Sequence, residues 1–295
     1  MNKTWVGSLY LTLASCIWGG MYVVVKIVVS VIPPLELVWL RYFVALIALV
    51  AVGLITKQNW RVRKRDFLLI IAIGVIGHAI SIVAQETGTL LSTAQMGAMI
   101  TSSTPAFMAI FAGLILKERI SLKQGVSIAL ATVGVLLIIG VGNLEFSGML
   151  GGSALLVAAL TWALMSVLVK RVPNEYSQVA VIAYSILVAL LLLTPFVLPR
   201  LPELDMTQLA QPRIWGGLLY LGIASTAGGF LLWNRGLQLL DVSGGGLFFF
   251  FQPLVGAFLG WILLGETIGA MFWAGAAFIL IGLLLVITGK NNQSP

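Results

Sequence analysis

The chain of 295 residues contains the same pattern twice. Ala14, Trp18 and Lys26 recur as Ala158, Trp162 and Lys170, each 144 positions on. Gly74, Gly88, Gly97, Pro105, Glu118 and Gly134 recur as Gly222, Gly236, Gly245, Pro253, Glu266 and Gly282, each 148 positions on. The offsets differ by four residues, which a loop between helices absorbs. A fold built on such a chain must be two copies of one unit. If each copy crosses a membrane an odd number of times, the second enters from the opposite side. Inverted repeats of that kind build secondary transporters, with solute bound near mid-membrane between the halves.

Composition makes lipid the solvent. Sixty per cent of the residues are hydrophobic and 9% are charged, with a mean hydropathy of +1.06. One soluble core of this length cannot hide that much apolar surface. The 32 glycines suit close helix packing in a bilayer. The net charge of +7 has its largest cluster at Lys57, Arg61, Arg63, Lys64 and Arg65, between two apolar runs. We read that as a topology signal and expect no nucleic-acid partner. The one cysteine, Cys16, allows no intrachain disulfide. Leu13-Ala14-Ser15-Cys16 resembles a lipoprotein cleavage box, but the apolar run continues to Val29, too long for a signal segment.

A spanning helix needs about 20 mainly apolar residues. Spans are expected near 6–28, 35–55, 67–87, 93–116, 122–141, 149–169, 177–198, 214–235, 242–264 and 269–288. The fold class is therefore all-α integral membrane, ten helices as two inverted five-helix repeats. The first repeat is expected over 1–145 and the second over 146–290, followed by a short polar tail, 291–295. With the N-terminus cytoplasmic, 13 of the 17 basic residues fall on the inner side and only Lys26, Arg200 and Arg213 on the outer; Arg41 lies within a span. That asymmetry places both termini in the cytoplasm.

The ordered motifs resemble the EamA family of the drug/metabolite transporter superfamily, across essentially the whole chain. In the first copy these are Trp18-Gly19-Gly20, Pro33-Pro34, Arg41 through Ala45, Thr104-Pro105, Leu116 through Arg119 and Gly125 through Gly134. In the second they are Ala158 through Lys170, Gln252-Pro253, Leu264-Gly265-Glu266 and Gly282. The resemblance implies small-molecule transport, usually export of metabolites or amino acids, and a multi-pass protein of a bacterial cell membrane. One departure is that no second arginine matches Arg41; Tyr184 or Ser185 stands nearby.

Side chains at mid-membrane depth are the candidate site. Gly74, His78, Ser81, Gln85 and Gly88 step by four and three along one helical face. Their mates are Gly222, Thr226, Gly229, Trp233 and Gly236. Glycines on such a face serve helix packing; the polar groups suit a cavity. His78, the one histidine, either donates to a carbonyl, contacts solute or couples protons. Trp18 and Trp162 lie away from the interfacial belts and could wall one pocket, stacking on a flat or cationic solute. Expected lining residues are Trp18, Tyr22, His78, Ser81, Gln85, Ser102, Trp162, Thr226, Trp233 and Gln252.

Pro105 and Pro253 each remove a helical hydrogen bond, as static kinks or as hinges. Glu36 and Glu86 are expected near the outer ends of their spans, leaving no clear mid-membrane carboxylate and disfavouring proton-for-cation exchange. Arg41 pairs with Glu36 or Glu86, or binds a solute carboxylate. His78, Arg41 and Glu86 are thus the candidate coupling groups. No metal-spaced cluster, phosphate loop or nucleophile elbow occurs, so neither catalysis nor a cofactor or metal is expected. The reading is a secondary transporter of a small organic solute, an exporter of amino acids or related metabolites. Lipid-linked sugar or drug translocation is the runner-up, and a non-transporting receptor or assembly subunit the competing class. Gly256 and Gly260 form a GxxxG that fits a monomer or a homodimer.

Overall fold

The computed structural model describes residues 3–91, 100–101, 103–139, 149–264 and 270–289. Among them there are helices and turns and no strand. That is what lipid demands of an apolar chain, because a helix satisfies its backbone groups internally. Large side chains such as Ile55, Leu114, Leu150 and Trp273 project outward, each more than 60% exposed. Such a surface is stable against acyl chains, not against water.

The first repeat comprises α1 (Lys3–Val28), α2 (Pro34–Ile55), α3 (Lys64–Leu91), α4 (Thr104–Leu116) and α5 (Leu122–Ile139). The second comprises α6 (Met149–Lys170), α7 (Gln178–Val197), α8 (Pro212–Leu239), α9 (Phe251–Leu264) and α10 (Ala270–Gly289). Six of these, α1, α2, α3, α6, α7 and α8, lie in segments long and apolar enough to cross a membrane. The expected repeat boundary at 145/146, the tail and the beginning of the expected 93–116 span lie outside the described residues.

Two departures from regular α-helix occur at matched places. α3 is π-helical over Ile73–Ile80 and α8 over Tyr220–Gly228. Such wide turns are rare and frequently mark functional segments. They also upset the helical face expected from a 3.6-residue period. The expected 93–116 and 242–264 spans are not single regular helices either. A turn at Ser103 precedes α4, and a 3-10 stretch, Leu247–Phe250, precedes α9. Pro105 and Pro253 fall in the first turns of α4 and α9, where a missing N–H costs little. They begin helices and do not kink the middle of one.

The repeats pack against each other through backbone approach at glycines. A Cβ on Gly74 would stand 2.5 Å from the Ser185 carbonyl oxygen, and one on its mate Gly222 would stand 3.0 Å from that of Arg41. Gly88 meets Leu155 and the Gly151 carbonyl; Gly236 meets Leu11 and the Gly7 carbonyl. Gly134 meets Gly275 and Ile279; Gly282 meets Ser127 and Ala131. Every one of these contacts maps onto its mate under the sequence offsets, with the repeats exchanged. α1 runs antiparallel to α8, because Leu11 lies by Gly236, Trp18 by Gly229 and Val28 by Gly217. Since α1 and α3 are separated by two short reversals, the third helix of one repeat opposes the third of the other.

The lysines at the ends of α1 and α6 repeat this relation. Lys26 donates to the Thr89 carbonyl near the C-terminus of α3, at 3.2 Å. Lys170 donates to the Leu237 and Leu240 carbonyls at the C-terminus of α8, at 2.7 and 2.5 Å. Cations there satisfy orphan carbonyls and oppose the negative pole of the helix.

The basic 57–66 connection docks on the turn after α6. Arg63 pairs with Glu175 at 3.2 Å, and Trp60 covers Gly53. Tyr176 donates to Asp66, a bond that pushes the tyrosine pKa up.

Replacing Gly134 by Val should lower stability by about 1–3 kcal/mol through overpacking. Gly125, with nothing within 4 Å of a Cβ, should accept Ala without loss. Thermal unfolding in detergent distinguishes them; equal melting temperatures would refute the tight α5–α10 seam.

Candidate functional site

A narrow cavity lies where α1, α2, α3 and α4 of the first repeat meet α6, α8 and α9 of the second. It is constricted, with a cavity volume of about 20 Å³, room for about one water. Trp18, Trp162, Phe230 and Phe249 wall one part; Tyr22, Arg41, Gln85, Thr101, Thr104 and Gln252 supply polar atoms. Met21, Ile82, Ala158 and Ala159 complete the lining. The two alanines keep α6 slim enough for a void to remain.

The aromatic wall is a mutually packed cluster. Trp18 meets Trp162 edge-on at 5.3 Å between centroids, and Trp162 meets Phe230 at 5.2 Å. These spacings are those at which ring quadrupoles attract. The two repeat-related indoles are bonded differently. Trp18 Nε1 donates to the Ser225 carbonyl at 2.9 Å, whereas Trp162 Nε1 is buried without a hydrogen-bond partner among the described residues.

The polar part centres on Arg41, wholly buried on α2. Its Nη1 donates to Glu86 Oε1 at 2.5 Å, its Nε to Thr226 at 3.0 Å and its Nη2 to Ser225 at 3.3 Å. Tyr22 and Thr101 share a hydrogen bond of 2.9 Å beside it. Glu86 was expected near the outer end of its span. It lies five residues before the described end of α3 and is completely buried against Arg41, one of its two expected partners. Glu36 pairs separately, with Arg200 at 3.8 Å.

Of the expected lining residues, Trp18, Tyr22, Gln85, Trp162 and Gln252 border the cavity. Four stand behind it. His78 stacks on Phe230 at 4.8 Å and bonds Ser185 at 3.1 Å. Ser81 donates to the Ala158 carbonyl. Thr226 holds Arg41 and donates to the Leu221 carbonyl. Trp233 donates to Ser166 at 3.2 Å and packs on Phe249. In α3 the lining side is Ile82 and Gln85, while His78 bonds to α7 and Ser81 to the backbone of α6. Ser102 lies outside the described residues. Phe230 and Ile82 were missed. They are repeat mates of each other, so the offset that found Trp162 could have found them.

These features define a multi-pass membrane protein with two packed repeats and a cavity at their junction. The EamA-like transporter family matches residues 5–140 and again 149–288, and the chain belongs to that family. It is similar to a permease-like protein of Bacillus subtilis, YdzE, at 68% identity over 25% of this chain and 96% of that one. An uncharacterized transporter of Archaeoglobus fulgidus is 24% identical, over 97% of this chain and 99% of that one. A Salmonella typhimurium protein named "Probable amino-acid metabolite efflux pump" is 27% identical, over 92% of each chain. A solved crystal structure shares the fold with a TM-score of 0.78 at 17% identity, covering 95% of this chain and 97% of that one.

Removing one partner of a buried ion pair strands the other charge, at a cost of about 3–5 kcal/mol. Arg41→Ala should therefore melt well below the wild type. Arg41→Ser combined with Glu86→Asn, which removes both charges, should recover most of the loss. A double variant no more stable than the single one would show that the pair is not isolated from its other contacts.

Proposed function

We propose that this protein is a secondary transporter that exports amino acids or related amphipathic metabolites by alternating access. The observation that carries this reading is the cavity itself. It is built by helices of both repeats, with an aromatic wall and a polar part that includes a buried cation. A solute with an apolar side chain and a charged head fits such a division. The family and the efflux-pump name of the Salmonella relative support the transport class and the export direction.

In this reading the repeats 1–145 and 146–290 contribute five spans each, ten in all, with both termini cytoplasmic. The chain works as a monomer or homodimer in the lipid bilayer. Rocking of the halves exposes the cavity to each side in turn. The restarts at Pro105 and Pro253 are the hinges, since a helix broken there changes angle without losing a continuous ladder of bonds. Trp18, Tyr22, Gln85, Trp162 and Gln252 contact solute; His78, Thr226 and Trp233 hold the lining in place.

Two measurements test this. In proteoliposomes, Trp162→Ala with Gln252→Ala should slow amino-acid flux roughly tenfold, corresponding to about 1.4 kcal/mol of lost interaction. Unchanged flux would remove the site. For orientation, single cysteines at Arg63 and at Glu175, each in a Cys16→Ser background, should both resist impermeant thiol reagents added to intact cells. Labelling from outside would reverse the topology.

A further inference from the structure

The Arg41–Glu86 ion pair is present in one repeat only. The offsets pair Arg41 with Ser185 and Glu86 with Asn234. The second repeat packs the same positions without charge: Ser185 bonds His78 at 3.1 Å, and Asn234 is 3% exposed. Ser185 and Arg41 each turn a backbone carbonyl toward a glycine of the opposite repeat. Helix packing at this depth therefore does not need an ion pair. Desolvating two charges costs several kcal/mol per ion, so a role in packing does not account for them.

The geometry of the pair is unusual for a structural clamp. Arg41 borders the cavity. Its Nε and Nη2 are oriented by Thr226 and Ser225 of α8, which leaves Nη1 to Glu86. Glu86 uses one oxygen; its Oε2 is buried and has no hydrogen-bond partner among the described residues. Arginine–carboxylate pairs are frequently bidentate, with two parallel N–H···O bonds. Here the guanidinium is fixed by the opposite repeat and the carboxylate is half satisfied.

We propose that Arg41 is the receptor for the carboxylate of the solute, and that Glu86 is a stand-in carboxylate occupying it while the protein is empty. When the solute carboxylate pairs with Arg41, Glu86 is released and takes up one proton from hydronium or buffer acid in the surrounding solution. One O–H bond forms on Glu86 as one breaks in the donor, and the donor's conjugate base stays in solution. A carboxylate without its cation in a low-dielectric interior is neutralised by a proton. Arg41 is then charge-paired in both states, which spares the empty carrier from reorienting a bare cation across lipid. The other titratable groups around Glu86 do not supply the switch. Tyr22 of α1 and Tyr42 of α2 are phenols bonded to Thr101 and to the His78 carbonyl. Lys26, one turn further along α1, is bound to the Thr89 carbonyl. His78, two turns away on α3, is stacked on Phe230.

This inference rests on reading the cavity as the solute site, and the test separates the two. The full chain in lipid nanodiscs is titrated calorimetrically with L-phenylalanine, in phosphate and in Tris, to count protons. L-Phenylalaninamide, which has the ring and ammonium but no carboxylate, is compared at pH 6. The wild type should take up one proton per phenylalanine, with affinity falling about tenfold per pH unit between pH 6 and 8. The amide should bind at least about tenfold more weakly. Glu86→Gln should bind phenylalanine with no proton uptake and no pH slope. Arg41→Ser with Glu86→Asn, which copies the neutral pair of the second repeat, should bind phenylalanine and the amide alike. Should Glu86→Gln fail to fold, this double variant decides. Equal binding of acid and amide by the wild type would overturn the inference and leave the solute site standing. Phenylalanine binding without proton uptake would overturn the stand-in role of Glu86. Binding of neither compound would overturn the site and the inference together.

Discussion

Close approach of backbones across the two repeats is the constraint on which the rest depends. In lipid there is no hydrophobic drive between helices, so association relies on dense contact and on polar groups meeting partners. Gly74 and Gly222, Gly88 and Gly236, and Gly134 and Gly282 provide that contact in three matched pairs. With the helices this close, few side chains can lie between them. A cavity can persist only where larger groups hold the helices apart, and the indoles of Trp18 and Trp162 do so at the junction. The cavity is a consequence of how the seams are built.

The same contacts make the two halves near copies of one another. Lys26 and Lys170 bind the ends of α3 and α8, and the π-helical turns fall at equivalent positions. Where the two halves differ is therefore informative. Arg41 stands against Ser185, Glu86 against Asn234, Gln85 against Trp233 and Thr101 against Phe249. Arg41, Gln85, Thr101 and Phe249 line the cavity and the other four stand close behind, while the matched glycines lie in the seams. Symmetry is kept where it supports packing and is broken around the cavity.

The repeat, the apolar runs and the glycine positions made most of the architecture legible in the sequence, because packing in lipid depends on side-chain size at a fixed spacing. The site was only partly legible. Trp18 and Trp162 could be found from the offset, and Gln85 and Gln252 from their depth. His78, Ser81 and Thr226 stand behind the lining and hydrogen-bond within the protein; wide turns run through Ile73–Ile80 and Tyr220–Gly228. Nothing in local composition announces a π-helical turn; its wider bonds are stabilised by the neighbours of the helix. Glu86 lies near the described end of α3, where its position in the apolar run puts it; what the sequence does not give is that its side chain is wholly buried against Arg41.

The broken symmetry also explains why the cavity is off centre. At the end of the junction nearer the start of α1, Trp233 and Phe249 lie 4.6 Å apart and Trp233 is bonded to Ser166. At the other end the same three positions carry Gln85, Thr101 and Tyr22, of which two are smaller, and space remains between them. An exact repeat would have either two cavities or none. Replacing two aromatic rings by an amide and a hydroxyl opens one end, lines it with hydrogen-bonding groups and leaves the other end sealed by packed rings. The buried cation lies on the open side. A solute entering there would meet Arg41 and Gln85 with its polar head and the Trp18–Trp162 wall with its apolar part. The seal it meets beyond them is the Trp233–Phe249 contact, which depends on dispersion and one hydrogen bond and involves no charge. In the rocking motion proposed above, such a contact would separate without stranding an ion in lipid.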